Sequence, residues 1–211
     1  MPAKNSRANP RLILASASPR RAELLRQGGY EFEAATPPLA EPDAFGMALP
    51  PELQAEASSF FKASSVSQAH HQGVILAADT VVALGSQVFG KPRDADDAYR
   101  ILSTLAGTEH EVITGVTILN AQTGRRRIAH DVTRIRMRGL ADERLRRYID
   151  GGGWEGKAGA YGIQDQRDPF VERMEGSFTN VVGLPMKLVA ELLVEFGFDR
   201  TPARPQGQGN P

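Results

Sequence analysis

Apolar and polar positions change period several times along the chain, and each change marks an element. Arg11 to Ala15 and Val74 to Ala78 are short runs of almost unbroken apolar residues, which predict strands buried on both faces. Pro19 to Gln27 takes helical spacing and is closed by Gly28 and Gly29; Leu53 to Gln68 predicts a second helix. "TVVALGSQVF" sets two β-rich arms around Gly85-Ser86, the pattern of a two-residue hairpin. Asp94 can cap a helix that runs to Ala106 and stops at Gly107. "HEVITGVTIL" and "IAHDVTRIRM" predict long strands joined across "NAQTGRR", followed by a helix from Ala141 to Ile149. "GGGWEGKAGAYGIQD" predicts a loop feeding a short strand, and Pro185 to Phe196 a closing helix. Helices interleaved with strands and hairpins predict an α/β protein with a mixed sheet rather than a parallel one.

Composition narrows the chemistry. The 211 residues are 41% hydrophobic and 24% charged, enough for one substantial core and one domain. The expected domain spans 11–199, with a flexible N-terminal tail at 1–10. The Pro-, Gly- and Gln-rich tail at 200–211 lacks the apolar residues to offset its ordering entropy and is expected to be disordered. Lys plus Arg equals Asp plus Glu at 25 each, so there is no general basic field to draw the chain onto nucleic acid or an acidic membrane, and any anion site must be local. The absence of cysteine excludes disulfides, thiolate metal sites and cysteine nucleophiles. No apolar stretch approaches the roughly 20 residues that span a bilayer, and the first residues lack a signal-peptide core. The expected location is the cytoplasm.

One local oddity points to an anion. In "SASPRRAELL", Ser18 suits an N-cap and Pro19 the first helical position, which puts Arg20 and Arg21 in the first turn, where the helix end is already positive. Backbone N–H groups, the hydroxyls of Ser16 and Ser18 and two guanidiniums could converge on a polyanion; equally, the arginines could pair with Glu23 or face solvent. Asp79 follows an apolar run, where a carboxylate is costly to bury unpartnered; it reads as a group aimed into a cleft at a strand end or as a turn residue capping local N–H groups. Lys91 in "FGKPRD", Glu41 among the prolines of "PPLAEPDAF", and Lys157 and Gln164 in "KAGAYGIQ" are each weak alone.

Taken in order, "SASPRR", "AADT", "GKP", "GTEHEVITGV", "KAGAYGIQ" and "GSFTNVVGLP" resemble the Maf family of nucleoside triphosphate pyrophosphatases over roughly Arg11 to Phe198. The resemblance implies the fold of the inosine triphosphate pyrophosphatases: a mixed twisted sheet with flanking helices, two lobes around a central cleft. It implies hydrolysis of a nucleoside triphosphate to monophosphate and pyrophosphate with a divalent metal, Mg²⁺ or Mn²⁺, and a homodimer. Asp79 would be the general base or metal carboxylate and Glu41 the loop acid that helps hold the metal, while Ser16, Arg21, Lys62 and Lys91 would neutralise the triphosphate.

The family also divides by base, and Arg20, Thr80 and Gln164 match the branch that acts on pyrimidine triphosphates, so dTTP and UTP are the expected substrates. A glutamine amide can pair its donor and acceptor with a uracil or thymine edge. Two departures stand out: Ala40 precedes Glu41 where the family resembles an acidic pair, and Asp165 follows Gln164 where glycine is usual. The rival reading is a nucleotide-binding regulator of septum formation without turnover, which needs the arginines and Gln164 but not two acids. His110 fits a family position, yet a lone histidine there is more often structural; His70 and His71 suit a helix end. "RRYID" and "GRRR" read as solvated faces, without the interleaved aromatics of a nucleic-acid groove.

Overall fold

Two long strands carry the molecule. In the computed structural model, which describes residues 10–39, 49–163 and 170–198, β3 (Val74–Leu84) and β5 (Glu109–Asn120) pair antiparallel from Val74 opposite Asn120 to Ala83 opposite Glu111. β1 (Leu12–Ala15) and β2 (Glu33–Ala35) extend the sheet in parallel on one side, and β6 (Arg126–Met137) and β7 (Val171–Glu175) in antiparallel on the other. The order is β2-β1-β3-β5-β6-β7, with the short β4 (Gln87–Phe89) folded back on the end of β3. Helices α1 (Pro19–Gln27), α2 (Pro51–Ser67), α3 (Ala95–Leu105), α4 (Asp142–Asp150), α5 (Phe178–Val182) and α6 (Met186–Val194) flank this mixed sheet. The expected tails, apart from Pro10, lie outside the described residues, as do Ala40, Glu41, Gln164 and Asp165.

Side-chain alternation along β3 divides the core. Val74, Leu76 and Ala78 join Leu12, Leu14, Leu25, Val189 and Leu193 under α1 and α6, whereas Ile75 and Ala77 face α2 with Ala63 and Val66. A further cluster, Val82, Leu102, Leu105, Ile135 and Met137, fills the space beneath α3 and α4. The buried face of α2 is made mostly of small residues, Ala55, Ser58, Ser59 and Ala63, and this lets the helix backbone settle onto β5. At Gly115 the approach is so close that a Cβ would lie 2.2 Å from the Ala55 carbonyl oxygen.

The expected end of β3 at Ala78 is not an end. The strand continues to Leu84 because β5 pairs with it throughout, and Asp79 and Thr80 sit in mid-strand. The opposite edge of β3 is different: β1 accompanies it only as far as Ala15 opposite Ala77, and β4 begins only at Phe89 opposite Val82. Among the described residues, 78–81 thus have a strand on one side only. That gap in the sheet, at the carboxyl end of β1, is where open α/β sheets place ligands.

Candidate active site

The gap opens into a cleft of about 600 Å³, a volume ordinary for a small-molecule site. Asp79 and Thr80 point to opposite faces of β3, yet both line the cleft, because the open edge exposes both sides of the strand. On the Asp79 side, α2 supplies Lys62, whose Nζ donates a hydrogen bond to Asp79 Oδ1; both side chains are 15% exposed. An ion pair shielded to this degree is held in one orientation more firmly than a surface pair.

On the Thr80 side, the first turn of α1 supplies Arg21. Its Nε donates to the Gly183 carbonyl at 2.7 Å, its Nη2 to Thr80 Oγ1 at 3.1 Å and its Nη1 to Ser16 Oγ at 3.4 Å. Ser18 occupies the N-cap position, but its hydroxyl makes no capping bond, contrary to expectation; instead the Ser18 N–H donates to Ser16 Oγ at 3.1 Å. Proline at the next position leaves one orphan donor fewer to cap, which lowers the demand on that hydroxyl. Arg20, more exposed, reaches across the cleft to the Gly156 carbonyl at 3.3 Å.

The "KAGAYG" segment forms the facing wall as a single 3-10 turn at Ala158–Ala160, not as a loop leading straight into a strand; the nearest strand is β7, further along. Gly159 and Ala160 both take left-handed backbone, φ +70° and +63°, and the Gly159 N–H donates to the Gly90 carbonyl at 3.0 Å. That bond ties the Lys157 wall to the turn bearing Lys91. A side chain at 159 would meet Val82 Cγ2 at 2.7 Å, so glycine satisfies both the backbone angle and the close approach. Lys157 donates to the Gly153 carbonyl, and its pKa is lowered, first by burial and then by the charge of Arg20, with Glu155 partly opposing. Behind this wall, His110 Nε2 and the Tyr161 hydroxyl are 2.7 Å apart. His110 is 2% exposed, its Nδ1 has no hydrogen-bond partner among the described residues, and burial pushes its pKa down to about 4.

Ser16, Ser18, Arg20, Arg21, Lys62, Asp79, Thr80, Lys91 and Lys157 therefore all line one cleft. Glu41 and Gln164 lie outside the described residues. Sequence reasoning missed Glu155 on the wall, Tyr161 in the lining, and the backbone acceptor at Gly183, although all three fall within or beside segments it had singled out. Among the described residues, no three His, Asp or Glu side chains are grouped to hold a metal ion. Among the described residues, the carboxylates that line the cleft are Asp79 and Glu155, against five cationic side chains, Arg20, Arg21, Lys62, Lys91 and Lys157. In a chain with no net charge this is a locally anion-seeking site.

A mixed α/β sheet with a cationic cleft at its open edge defines a class of protein that takes up small polyanions. The chain belongs to the Maf family: the model for Maf-like protein matches residues 11–196. It is 44% identical over 188 residues to the dTTP/UTP pyrophosphatase of Carboxydothermus hydrogenoformans, covering 89% of this chain and 100% of that protein. It is 39% identical to the dTTP/UTP pyrophosphatase of Pelotomaculum thermopropionicum, covering 89% of this chain and 97% of that one. Identity to the same-named protein of Bdellovibrio bacteriovorus is 41% over 193 residues, covering 89% of this chain and 99% of that protein.

Proposed function

We propose that the chain is a nucleoside triphosphate pyrophosphatase that hydrolyses dTTP and UTP to the monophosphate and pyrophosphate. The observation that carries the reading is the convergence of Arg21, Lys62, Lys91 and Lys157 with one shielded carboxylate, Asp79, on a single cleft. The relatives named dTTP/UTP pyrophosphatase support the substrate, as does the pairing of Arg20 and Thr80 with Gln164 in the sequence.

In this reading the cations bind and orient the triphosphate and offset the charge that builds up on the departing pyrophosphate. Asp79, its carboxylate oriented by Lys62, accepts a hydrogen bond from the attacking water and takes its proton as the new P–O bond forms and the α–β anhydride bond breaks. Arg20 closes the rim through Gly156, and Lys157 meets the phosphate chain from the opposite wall. A divalent cation, Mg²⁺ or Mn²⁺, fits the donor chemistry, because such ions take one or two carboxylates and draw their remaining ligands from phosphates and water. Asp79 together with Glu41 would hold it, and it would neutralise phosphate charge. A homodimer in the cytoplasm completes the reading. The lack of cysteine is compatible with that compartment, and no described helix is long and apolar enough to cross a membrane.

The deciding experiment is pyrophosphate release from dTTP, with and without Mg²⁺, by the wild type and Asp79→Asn. The asparagine keeps shape and removes the charge, so turnover is expected to fall by roughly two or more orders of magnitude while dTTP binding changes little. Undiminished turnover would make Asp79 structural, and no turnover in the wild type would leave a nucleotide-binding protein without catalysis.

A further inference from the structure

The segment "GSFTNVVGLP" supplies no side chain that the proposed chemistry uses, yet it lies directly behind Arg21. Its helix α5 starts at the N-cap Ser177, whose hydroxyl accepts from the Asn180 N–H, and ends at Gly183, whose φ is +117°. Asn180 is fully buried and pinned to the sheet, its Nδ2 donating to the Val112 carbonyl at 2.9 Å and to Thr133 Oγ1 at 3.0 Å. The Thr133 hydroxyl in turn accepts from the Ser177 N–H at 3.0 Å, so the start and the middle of the segment are tied to β6. Two backbone carbonyls are thereby held in fixed places. That of Gly183 accepts directly from Arg21 Nε at 2.7 Å, and that of Asn180 accepts from Thr114 Oγ1 at 3.1 Å.

The direction of the remaining bonds follows from proton counting. A carbonyl cannot donate, so the single hydroxyl proton of Thr114 is committed to Asn180. The 3.0 Å contact between Thr80 Oγ1 and Thr114 Oγ1 then requires Thr80 to donate, and Thr80 accepts from Arg21 Nη2 at 3.1 Å. The chain runs one way, from guanidinium to Thr80 to Thr114 to the Asn180 carbonyl. We propose that Thr80 and Thr114 are positioning residues for Arg21: with the Gly183 carbonyl they clamp the guanidinium plane from two directions, so that α5 sets the angle at which Arg21 meets the triphosphate. Thr114 is fully buried and is not part of the cleft lining, so it can act on the ligand only through Thr80 and Arg21. The three bonds from Arg21 to Gly183, Thr80 and Ser16 end on neutral oxygens and fix the plane of the guanidinium, as a prearranged ligand-binding group requires.

This inference rests on the reading of Arg21 as a phosphate ligand, and the test separates the two. Thr80→Val, Thr80→Ser, Thr114→Val, Arg21→Ala and the double variant Arg21→Ala/Thr114→Val are compared by dTTP kinetics and by binding of inorganic tripolyphosphate, which has no base. Losing the acceptor in Thr80→Val is expected to lower kcat/KM for dTTP and the tripolyphosphate affinity by the same factor, about tenfold. Thr80→Ser keeps the hydroxyl and should stay within about threefold of the wild type, and Thr114→Val should fall between the two. In the Arg21→Ala background, Thr114→Val should bring no further loss. Equal losses in both backgrounds, or a Thr80→Val defect on dTTP that spares tripolyphosphate, would overturn the clamp. Should Arg21→Ala bind tripolyphosphate normally, the phosphate reading of Arg21 falls and the clamp with it; a large Arg21→Ala loss beside silent threonine variants overturns the clamp alone. If Thr114→Val does not fold, the Thr80 pair with both ligands still decides.

Discussion

Gly115→Ala tests whether the seat of α2 on the sheet places the chemistry. Gly115 pairs with Asp79 on one side and His130 on the other, and the backbone of α2 crosses directly over it. A methyl group there would lie 2.2 Å from the Ala55 carbonyl oxygen and 2.5 Å from the Glu56 nitrogen. Ordinary contact begins at 3.4 Å, so the helix must lift by roughly 1 Å, and backbone cannot swing aside as a side chain can. Gly115 sits in regular strand without a positive φ, so alanine brings no backbone penalty and a small gain in unfolded-state entropy. The net loss should reach about 2 to 4 kcal/mol, at or above the usual range for overpacking.

The effect should extend to catalysis. Lys62 is seven residues beyond Ala55, about 10 Å along the same helix, and its contact with Asp79 tolerates little displacement. Urea unfolding of Gly115→Ala, with Gly139→Ala as a control, measures the first part; nothing lies within 4 Å of a Cβ at 139, and that variant should stay within about 0.5 kcal/mol of the wild type. Pyrophosphate release by the folded protein measures the second. If Gly115→Ala is as stable as the control, α2 does not rest on Gly115 in the way described, and the placement of Lys62 needs another cause.

Burial of neutral His110 predicts a pH dependence. Its folded pKa, about 4, is below the ordinary 6.5, so between those values the unfolded chain binds a proton that the folded one refuses. Stability should be complete above about pH 6.5 and fall by about 3 kcal/mol towards pH 4; urea unfolding across that range should show a shallower slope in His110→Gln, and equal slopes would mean that His110 titrates normally. Asp97 caps the turn that follows Lys91: its carboxylate accepts from Arg100 and from the Arg93 N–H, and the Arg100 bond holds its pKa below the usual carboxylate value. Asp97→Asn should lose about 1 to 3 kcal/mol at pH 7, a deficit that shrinks below about pH 3.8 as the wild-type carboxyl takes up its proton; thermal melts at both pH values decide it.

What could be read from the sequence was local. α1 runs from Pro19 to Gln27 as expected because its signals, Ser-Pro before and Gly-Gly after, act on their own neighbours. The same holds for α3, where Asp94 accepts from the Asp97 N–H and Gly107 follows the helix with positive φ. β2 was missed because its three residues, two exposed and one half-buried, carry no period; they become a strand only because β1 offers a parallel edge. α5 was missed because five residues are too short for helical periodicity, even with Ser177 and Gly183 at its ends. In the cleft, charged residues announced themselves by type. The carbonyls of Gly183 and Asn180, which orient Arg21, could not, since a backbone acceptor is the same in every residue and only the fold decides which one faces the site.

The two arginines at the start of α1 remain the most informative contradiction between local rule and fold. Each adds positive charge to a helix end that is already positive, at a cost of about 0.3 to 1 kcal/mol where exposed. The first turn carries no acidic residue to relieve it. The strain spreads across the cleft, where Arg20 is one of the causes that lower the pKa of Lys157. In the proposed function, a polyanion entering the cleft would offset this repulsion and gain the cationic contacts in the same step. Such a device works only if the cations cannot escape by rotating into solvent. The clamp of Gly183 and Thr80 on Arg21, the Gly156 carbonyl on Arg20 and the Gly153 carbonyl on Lys157 supply that restraint, and all draw on segments far along the chain from α1. The cationic helix start is thus stable only in the complete fold, where the later loops hold it in place and the cleft gives its charge a use.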